Sequence, residues 1–152
     1  MRLFSNDFKN GEMLPKILTC DGEDISPHLK WVNFPEQTKS FALMCLDFET
    51  NDGIVSHWYV HDIPNNVTEI PRGGPIPGAE LENDFGTLYY EGPCQPDKLH
   101  EYYFIIHALD VEHLEGLTTL TFRKQIRNHS LDKAELKGTY QSEIRINFKS
   151  CH

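Results

Sequence analysis

The feature that most constrains the fold is a short run, residues 102–109, that is apolar at nearly every position and bounded by polar residues. The run is rich in Tyr, Phe and Ile, a composition typical of a strand that is buried on both faces. A second run, residues 41–47, is apolar until Asp47 at its C-terminal end. It predicts a second central strand, so we expect a β-sheet at the centre of the protein.

The rest of the chain repeats this pattern of short apolar segments separated by Gly, Pro, Asn or Asp. One stretch has a helical period, roughly residues 120–129, where Phe122 and Ile126 lie on one face at i, i+4 and Thr118 or Thr119 can cap the start. These patterns predict a mainly β protein, an antiparallel β-sandwich with one or two short helices.

Further strands and loops follow from alternation and turn residues. Additional strands are predicted at residues 29–34, 57–64 and 140–148. In the second of these, Trp58 and Val60 alternate with His57 and Tyr59. Residues 47–53 are predicted to form a loop, and residues 64–82, rich in Gly and Pro, a longer one. A loop of that length is typical of a functional segment or an interface.

Length and charge limit the protein's class. A chain of 152 residues predicts one domain, 1–152, with a core large enough to need no metal or disulfide. Its 14 Lys and Arg against 23 Asp and Glu give a net charge of -9, which argues against binding nucleic acid or anionic membrane. No segment approaches the ~20 apolar residues of a membrane span. We therefore expect a soluble, cytoplasmic protein without stable membrane insertion.

The four cysteines carry no recognisable spacing. Cys20, Cys45, Cys94 and Cys151 form neither CxxC nor CxxH, so neither a zinc site nor a disulfide framework is predicted. Reduced thiols are expected, with Cys45 as a small core residue. Cys94 could approach His100, but no helix N-terminus is predicted there to lower its pKa, so nucleophilic catalysis is disfavoured.

Polar side chains at strand ends form the candidate site. Asp47 ends one predicted strand, while His57 and His100 open two others. Neighbouring strands lie ~4.8 Å apart, so these side chains can converge at one sheet edge, and Tyr102 projects to the same side as His100. Imidazole and phenol donors beside a carboxylate suit a phosphate or another small anion. Gly92 and Pro93 would form a wall of this pocket.

Two other interpretations of these residues stay open. Two histidines and a carboxylate match the facial triad of non-haem iron enzymes, although no HxD or HxxE pair fixes two ligands on one element. Alternatively, each histidine satisfies a local hydrogen bond at a strand end. We assign that structural role to the remaining histidines: His28, His61, His107, His113, His129 and His152. Nucleophile-elbow and phosphate-loop motifs are absent.

Several blocks of sequence resemble the phosphatidylethanolamine-binding protein family, which includes the Raf kinase inhibitor protein. They are CDGEDISPHLKW at 20–31, FALMCLDFET at 41–50, SHWYVHDIP at 56–64, NDFGTLYYEGPCQPDKLHEYYFIIHALD at 83–110 and, more loosely, AELKGTY at 134–140. The chain is most similar to the bacterial and archaeal branch. This resemblance implies an antiparallel β-sandwich with a small anion pocket near the surface.

The resemblance also implies a set of ligand-binding residues. Carried over by motif, they are Asp47, Glu49, His57, Gly92, Pro93, His100 and Tyr102. The sequence departs from the family pattern beside them, with Phe48, Thr50 and Asn51 in the loop after Asp47. Glu101 replaces an arginine, which should lower the positive potential near His100. The sequence ends at His152 without the C-terminal helix of longer members, so a more open site is expected.

The resulting functional expectation is a non-catalytic binding protein for a phosphate-like anion or phospholipid head group, without a metal or other cofactor, that could regulate a partner kinase. One alternative is an inhibitor of a kinase or protease that acts through loops such as 64–82. Another is a metal-dependent or acid-base enzyme that uses Asp47, His57 and His100. Family likeness and the long Gly/Pro loop are also compatible with a homodimer.

Overall fold

The protein forms two β-sheets and one α-helix, in a computed structural model that describes residues 1–143. The strands are β1 (Arg2–Phe4), β2 (Leu29–Val32), β3 (Ser40–Thr50), β4 (Gly53–Pro64), β5 (Glu69–Ile70), β6 (Ala79–Leu81), β7 (His100–Leu109) and β8 (Ser130–Tyr140). The helix α1 spans Phe122–His129, and a short 3-10 turn spans Lys16–Leu18.

Both sheets are antiparallel. One has the strand order β1-β2-β5, and the larger one has the order β6-β4-β3-β7-β8. The predicted antiparallel sandwich with a short helix is therefore confirmed. Strand β3 lies at the centre of the larger sheet with β7 beside it, as the apolar runs at 41–47 and 102–109 predicted.

The main core lies between the two sheets. Odd-numbered residues of β3, such as Phe41, Leu43 and Cys45, point into it and are fully buried. Trp31 of β2 meets Phe41 edge-on, with ring centroids 5.4 Å apart, so it joins the sheets directly. Burial of side chains this large on both sheets is the main source of stability for such a sandwich.

The opposite face of the larger sheet is covered by α1. Even-numbered residues of β3, such as Met44, belong to this second cluster together with Phe122 and Ile126, the helix pair that the sequence predicted. Phe122 packs edge-on against Tyr59, with ring centroids 4.2 Å apart. Within residues 1–143, no helix has the length and apolar character needed to cross a membrane.

The start of the helix agrees with the prediction for Thr118 and differs from it for Thr119. Thr121 precedes α1 but makes no side-chain capping hydrogen bond. As predicted, the Thr118 hydroxyl accepts a backbone N–H at the helix start, that of Thr121 at 3.2 Å, and its carbonyl oxygen accepts those of Thr121 and Phe122. The hydroxyl of Thr119 donates to the carbonyl of Glu82, 2.8 Å away, so it fastens the helix turn to a neighbouring loop instead of capping.

Two predicted loops contain strands. Within residues 47–53 only Asn51 and Asp52 form a turn, because β3 continues to Thr50 and pairs there with Gly53, the first residue of β4. Polar residues interrupt the apolar pattern there while backbone pairing continues. Likewise, the 64–82 segment includes the short strands β5 and β6.

The last strand also differs from the prediction. Strand β8 ends at Tyr140, before most of the predicted 140–148 strand, and residues 144–152 lie outside the described part of the chain. From Ala134 to Tyr140 every second residue of β8 is buried, as in a strand with one face in the core. Two of these buried positions are Ala134 and Gly138, whose small size makes the alternation of apolar and polar residues hard to detect in the sequence. A side chain at Gly138 would overlap Leu14, so close packing requires glycine there.

Candidate functional site

The site is built around a buried acid-histidine pair. His100 Nδ1 lies 2.6 Å from Asp47 Oδ2, and the two side chains are 2% and 0% exposed. The other ring nitrogen, Nε2, lies 2.8 Å from Asp97 Oδ1, whose side chain is 56% exposed. An ionised carboxylate only accepts hydrogen bonds, so an imidazole between two of them has to donate from both nitrogens and carry a positive charge.

Strand register places this pair. Asp47 is the Cα partner of Tyr102 across β3 and β7, and His100 lies two residues away on the same face. The second carboxylate oxygen, Asp47 Oδ1, accepts the backbone N–H of Glu49 at 2.8 Å. Asp47 is therefore a buried anion with a charged partner and a backbone donor, which is the condition under which burial of a charge is tolerated.

His57 reaches the site through an irregularity in β4. Cys45 pairs with Trp58 and Leu46 pairs with Ser56, so His57 is an extra residue without a partner in the register. Such a β-bulge re-aims a side chain. The His57 ring contacts Tyr102 with centroids 5.3 Å apart and Phe85 with centroids 4.9 Å apart.

The proton on His57 is fixed by the backbone. Its Nδ1 lies 2.5 Å from the carbonyl oxygen of Glu91, which can only accept, so Nδ1 donates. Burial lowers the pKa of His57, partly offset by that hydrogen bond and by the charge of Asp47. The ring is therefore neutral at pH 7, and its Nε2 carries a lone pair.

These side chains border a cavity of about 560 Å³, within the size range of small-ligand sites. The lining residues are Asp47, Thr50, Asn51, Asp52, Ile54, Val55, His57, Asp84, Phe85, Gln95, Asp97 and His100. We call this space the acidic cavity, because four of its lining residues are aspartates and none is Lys or Arg. The positive charge expected here is confined to His100.

Three of the seven predicted residues, Asp47, His57 and His100, line the acidic cavity together. Tyr102 contacts both imidazoles, at centroid distances of 5.3 Å from His57 and 6.2 Å from His100. Its hydroxyl is buried without a hydrogen-bond partner among residues 1–143, and burial raises its pKa. Tyr102 thus offers a donor next to the histidines.

The other three predicted residues stand behind the cavity and are not part of its lining. Glu49 Oε2 accepts the backbone N–H of Glu101 at 2.8 Å. Gly92 donates its N–H to Asp24 Oδ1 at 2.9 Å, and Pro93 accepts the N–H of Cys20 at 3.2 Å. They hold the β3 and 91–97 segments in place around the lining residues.

Two of the departures from the family pattern, Glu101 and Phe48, point away from the cavity, whereas Thr50 and Asn51 line it. Glu101 pairs with Lys137 on the neighbouring strand, with Oε2 and Nζ 2.6 Å apart. Its charge is therefore directed to Lys137 and not inward. Phe48 packs edge-on against Tyr103, with centroids 5.3 Å apart, on the opposite side of the sheet from Asp47.

Sequence reasoning missed Asp84, Phe85 and Asp97. Asp97 could have been found from its spacing, because it precedes His100 by three residues. Asp84 and Phe85 follow Asn83, which is buried and donates to the carbonyl oxygens of His57 and Tyr89. A buried Asn that holds a loop against a strand gives no clear signal in a sequence.

A disulfide joins Cys20 to Cys94, with the sulfur atoms 2.09 Å apart. The prediction of reduced thiols was wrong for this pair, because cysteines 74 positions apart in sequence give no local motif, yet the fold brings their Cα atoms to 5.4 Å. The bond ties the segment after Pro93 to the loop at residue 20.

Cys45 is a buried free thiol whose pKa is raised by burial and by Asp47, as expected of a core residue. Cys151 lies outside the described residues.

Metal binding is not supported by the geometry of this site. Within residues 1–143, no three His, Cys, Asp or Glu side chains are arranged to hold one metal ion. Asp47 and His100, two members of the facial-triad alternative, are hydrogen-bonded to each other.

The fold and the cavity place the chain among antiparallel β-sandwich proteins with a polar cavity at one end of the larger sheet. A family model described as phosphatidylethanolamine-binding protein matches residues 4–141. The chain belongs to this family. All the residues that line the cavity lie within the matched range.

Similar proteins occur in bacteria and archaea. A UPF0098 protein of Aquifex aeolicus is 41% identical and covers 94% of this chain and 90% of that protein. A UPF0098 protein of Methanothermobacter thermautotrophicus is 37% identical, covering 93% and 99%. Among solved structures, a phosphatidylethanolamine-binding protein homologue from Chlamydia trachomatis superposes with a TM-score of 0.86 at 34% identity, covering 93% of this chain and 97% of that one.

Removing the disulfide should destabilise the protein. We expect the double variant Cys20→Ser/Cys94→Ser to lose about 2–4 kcal/mol of unfolding free energy, because the bond no longer restricts the unfolded chain. Denaturant unfolding of both proteins, each with and without a reducing agent, measures this. The reducing agent should lower the unfolding free energy of the unsubstituted protein and leave that of the double variant unchanged. Peptide mapping that finds no Cys20–Cys94 linkage would contradict the structure.

Proposed function

We propose that this protein is a non-catalytic binding protein whose acidic cavity holds a small zwitterionic head group, a phosphate diester joined to an ammonium group. The supporting observation is the charge pattern of the lining: one charged imidazole at the buried end and carboxylates elsewhere. The description of the matched family, phosphatidylethanolamine-binding protein, names a lipid with such a head group.

The anionic part of the ligand would lie at the histidines. His100 Nε2 is a charged donor directed at Asp97, and Asp97 Oδ1 thus occupies the position that a ligand oxygen would take. Asp97 is more than half exposed, so it can turn toward water when a ligand enters. His57 Nε2 becomes a second donor once it is protonated.

The cationic part would lie at the exposed aspartates. Asp52 and Asp84 are exposed and line the cavity, whose lining contains no Lys or Arg. Asp84 Oδ2 accepts the backbone N–H of Ser56 at 2.6 Å, which fixes the carboxylate in place. A free phosphate dianion would meet net repulsion from these groups, whereas a zwitterion would meet opposite charges at both ends.

A binding role fits the lining better than catalysis does. Thr50 is the lining residue with a hydroxyl, and this hydroxyl donates to the carbonyl of Gly53 at 2.5 Å. Cys45 is buried and Cys94 is in the disulfide, so neither supplies a thiolate.

Control of a kinase or protease and assembly as a homodimer stay predictions. A cytoplasmic location also stays a prediction, and the disulfide weighs against it, since such bonds persist mainly in oxidising compartments.

Ligand preference tests the proposal directly. We expect glycerophosphoethanolamine to bind more tightly than glycerophosphoglycerol, a diester of similar size without the ammonium group, in calorimetric titrations. The variant Asp84→Asn keeps an acceptor for Ser56 and removes the charge. It should reduce the preference about 2- to 5-fold, as an exposed charge pair would. Glu36→Gln, in the turn that precedes β3, is the control. Equal affinity for both diesters would reject the zwitterion.

Binding should also depend on pH through His57. Its lowered pKa keeps it neutral in the free protein, and a bound anion favours the protonated form. Affinity for the diester, whose own charge is constant, should therefore increase about 3- to 10-fold as pH falls from about 7.5 to 5.5. His57→Gln should abolish this increase, while His113→Gln, at an exposed site, should retain it. An unchanged pH dependence in His57→Gln would exclude His57 from the site.

Asp97 is expected to compete with the ligand. In Asp97→Ala the Nε2–H of His100 is released, so affinity for glycerophosphoglycerol should increase about tenfold, the value of one charged hydrogen bond near the surface. Asp52→Ala removes the same charge from the cavity without touching His100. An equal gain in both variants would show a general field effect and contradict a direct competition.

A further inference from the structure

A second cleft lies on the helix side of the larger sheet, opposite the sandwich core. Its lining residues are Met44, Leu46, Phe48, Ile54, Ile105, His107, Arg123, Arg127 and Lys133. We call it the basic cleft. The charged residues that line it are all Lys or Arg, whereas four aspartates line the acidic cavity.

The floor of the basic cleft is apolar. Met44, Leu46 and Ile105 belong to the second core cluster and are nearly fully buried. Phe48 and Ile54, from the two strands of the β3–β4 hairpin, border it and remain 44% and 40% exposed. Two large apolar side chains exposed at one small cleft indicate a surface that favours apolar contact.

The rim carries uncompensated positive charge. Arg123 and Arg127 lie at i, i+4 on one face of α1, where like charges repel each other. Within residues 1–143 neither makes an ion pair, and Lys133 has only a distant partner, Glu135, at 3.8 Å. The charge of this cluster is therefore positive, although the whole chain has a net charge of -9.

His107, a residue of β7, also lines the basic cleft. It is buried, and its Nδ1 lies 2.8 Å from the hydroxyl of Ser130. Burial, together with the charges of Lys133 and Arg127, lowers the pKa of His107 to about 4. His107 is thus neutral at pH 7, and the positive charge of the basic cleft comes from its Arg and Lys side chains.

The volume limits the apolar part of a ligand. The cleft measures about 160 Å³, and an engineered apolar cavity of about 150 Å³ is known to accept benzene. One aromatic ring or a short branched alkyl group therefore fits the floor. Paired guanidinium groups at the rim suit a carboxylate or a phosphate, which they bind with two parallel hydrogen bonds.

We propose that the basic cleft is a second binding site, distinct from the acidic cavity, for a small amphipathic acid: one aromatic ring or branched alkyl group that carries a carboxylate or a phosphate. The apolar group packs on Met44, Leu46 and Ile105, while the acid reaches Arg123 and Arg127. This site does not depend on the function proposed for the acidic cavity.

Titration of the full chain with phenyl phosphate and benzoate, followed by amide chemical shifts, tests this site. We expect saturable shifts centred on Met44, Ile105 and Arg127, and binding of either acid supports the proposal. Inorganic phosphate, an anion without a ring, and benzyl alcohol, a ring without a charge, should both bind at least tenfold more weakly. Shifts centred on Phe85 instead would place these ligands in the acidic cavity and overturn the proposal.

Matched variants separate a built site from general charge attraction. Arg123→Gln/Arg127→Gln should weaken binding of phenyl phosphate at least tenfold. The variant Lys124→Gln removes one positive charge from an exposed position of the same helix and should leave affinity unchanged. Circular dichroism of each variant verifies that α1 remains folded. Equal losses in Lys124→Gln and the double variant, or binding of inorganic phosphate as tight as that of phenyl phosphate, would refute the site.

Discussion

The hydrogen bond between the buried side chains of Asp47 and His100 is the interaction on which the site depends. A carboxylate without solvent exposure is tolerated only with a charged or strongly donating partner, and removal of one partner from a buried pair typically costs about 3–5 kcal/mol. This requirement ties the end of β3 to the start of β7. It also occupies one nitrogen of His100, so the imidazole faces the acidic cavity through Nε2 alone.

The remaining parts of the acidic cavity are held by backbone features. The bulge in β4 turns His57 toward Tyr102, and the carbonyl of Glu91 selects its tautomer. Glu91 belongs to the segment that continues through Pro93 to the disulfide at Cys94. The conformation of that segment therefore controls both the proton on one histidine and, through Asp97, the partner of the other.

Much of the fold follows from periodicity, but parts of the site do not. The positions of Asp47 and His100 beside the central strands could be predicted because each lies next to an apolar run, although β3 continues past Asp47 to Thr50. His57 could not be placed from its strand alone, because strict alternation puts it on the face of Tyr59, the side covered by α1. Its side of the sheet depends on the bulge, whereas its place at the start of a strand and the family motif had identified it as a candidate. The disulfide was missed because its cysteines are 74 positions apart and leave no local motif. The β3–β4 hairpin was missed because the polar residues after Asp47 were interpreted as a loop, although the Asp52-Gly53 pair is a local hairpin signal.

The β3–β4 hairpin is shared by the two clefts. Alternate residues of β3 point to opposite faces, so Asp47 belongs to the acidic cavity while Leu46 and Phe48 belong to the basic cleft. Ile54, near the tip, lines both. A ligand that displaces the Ile54 side chain in one cleft therefore changes the lining of the other. The sheet thus separates two opposite charge environments and provides a short physical connection between them.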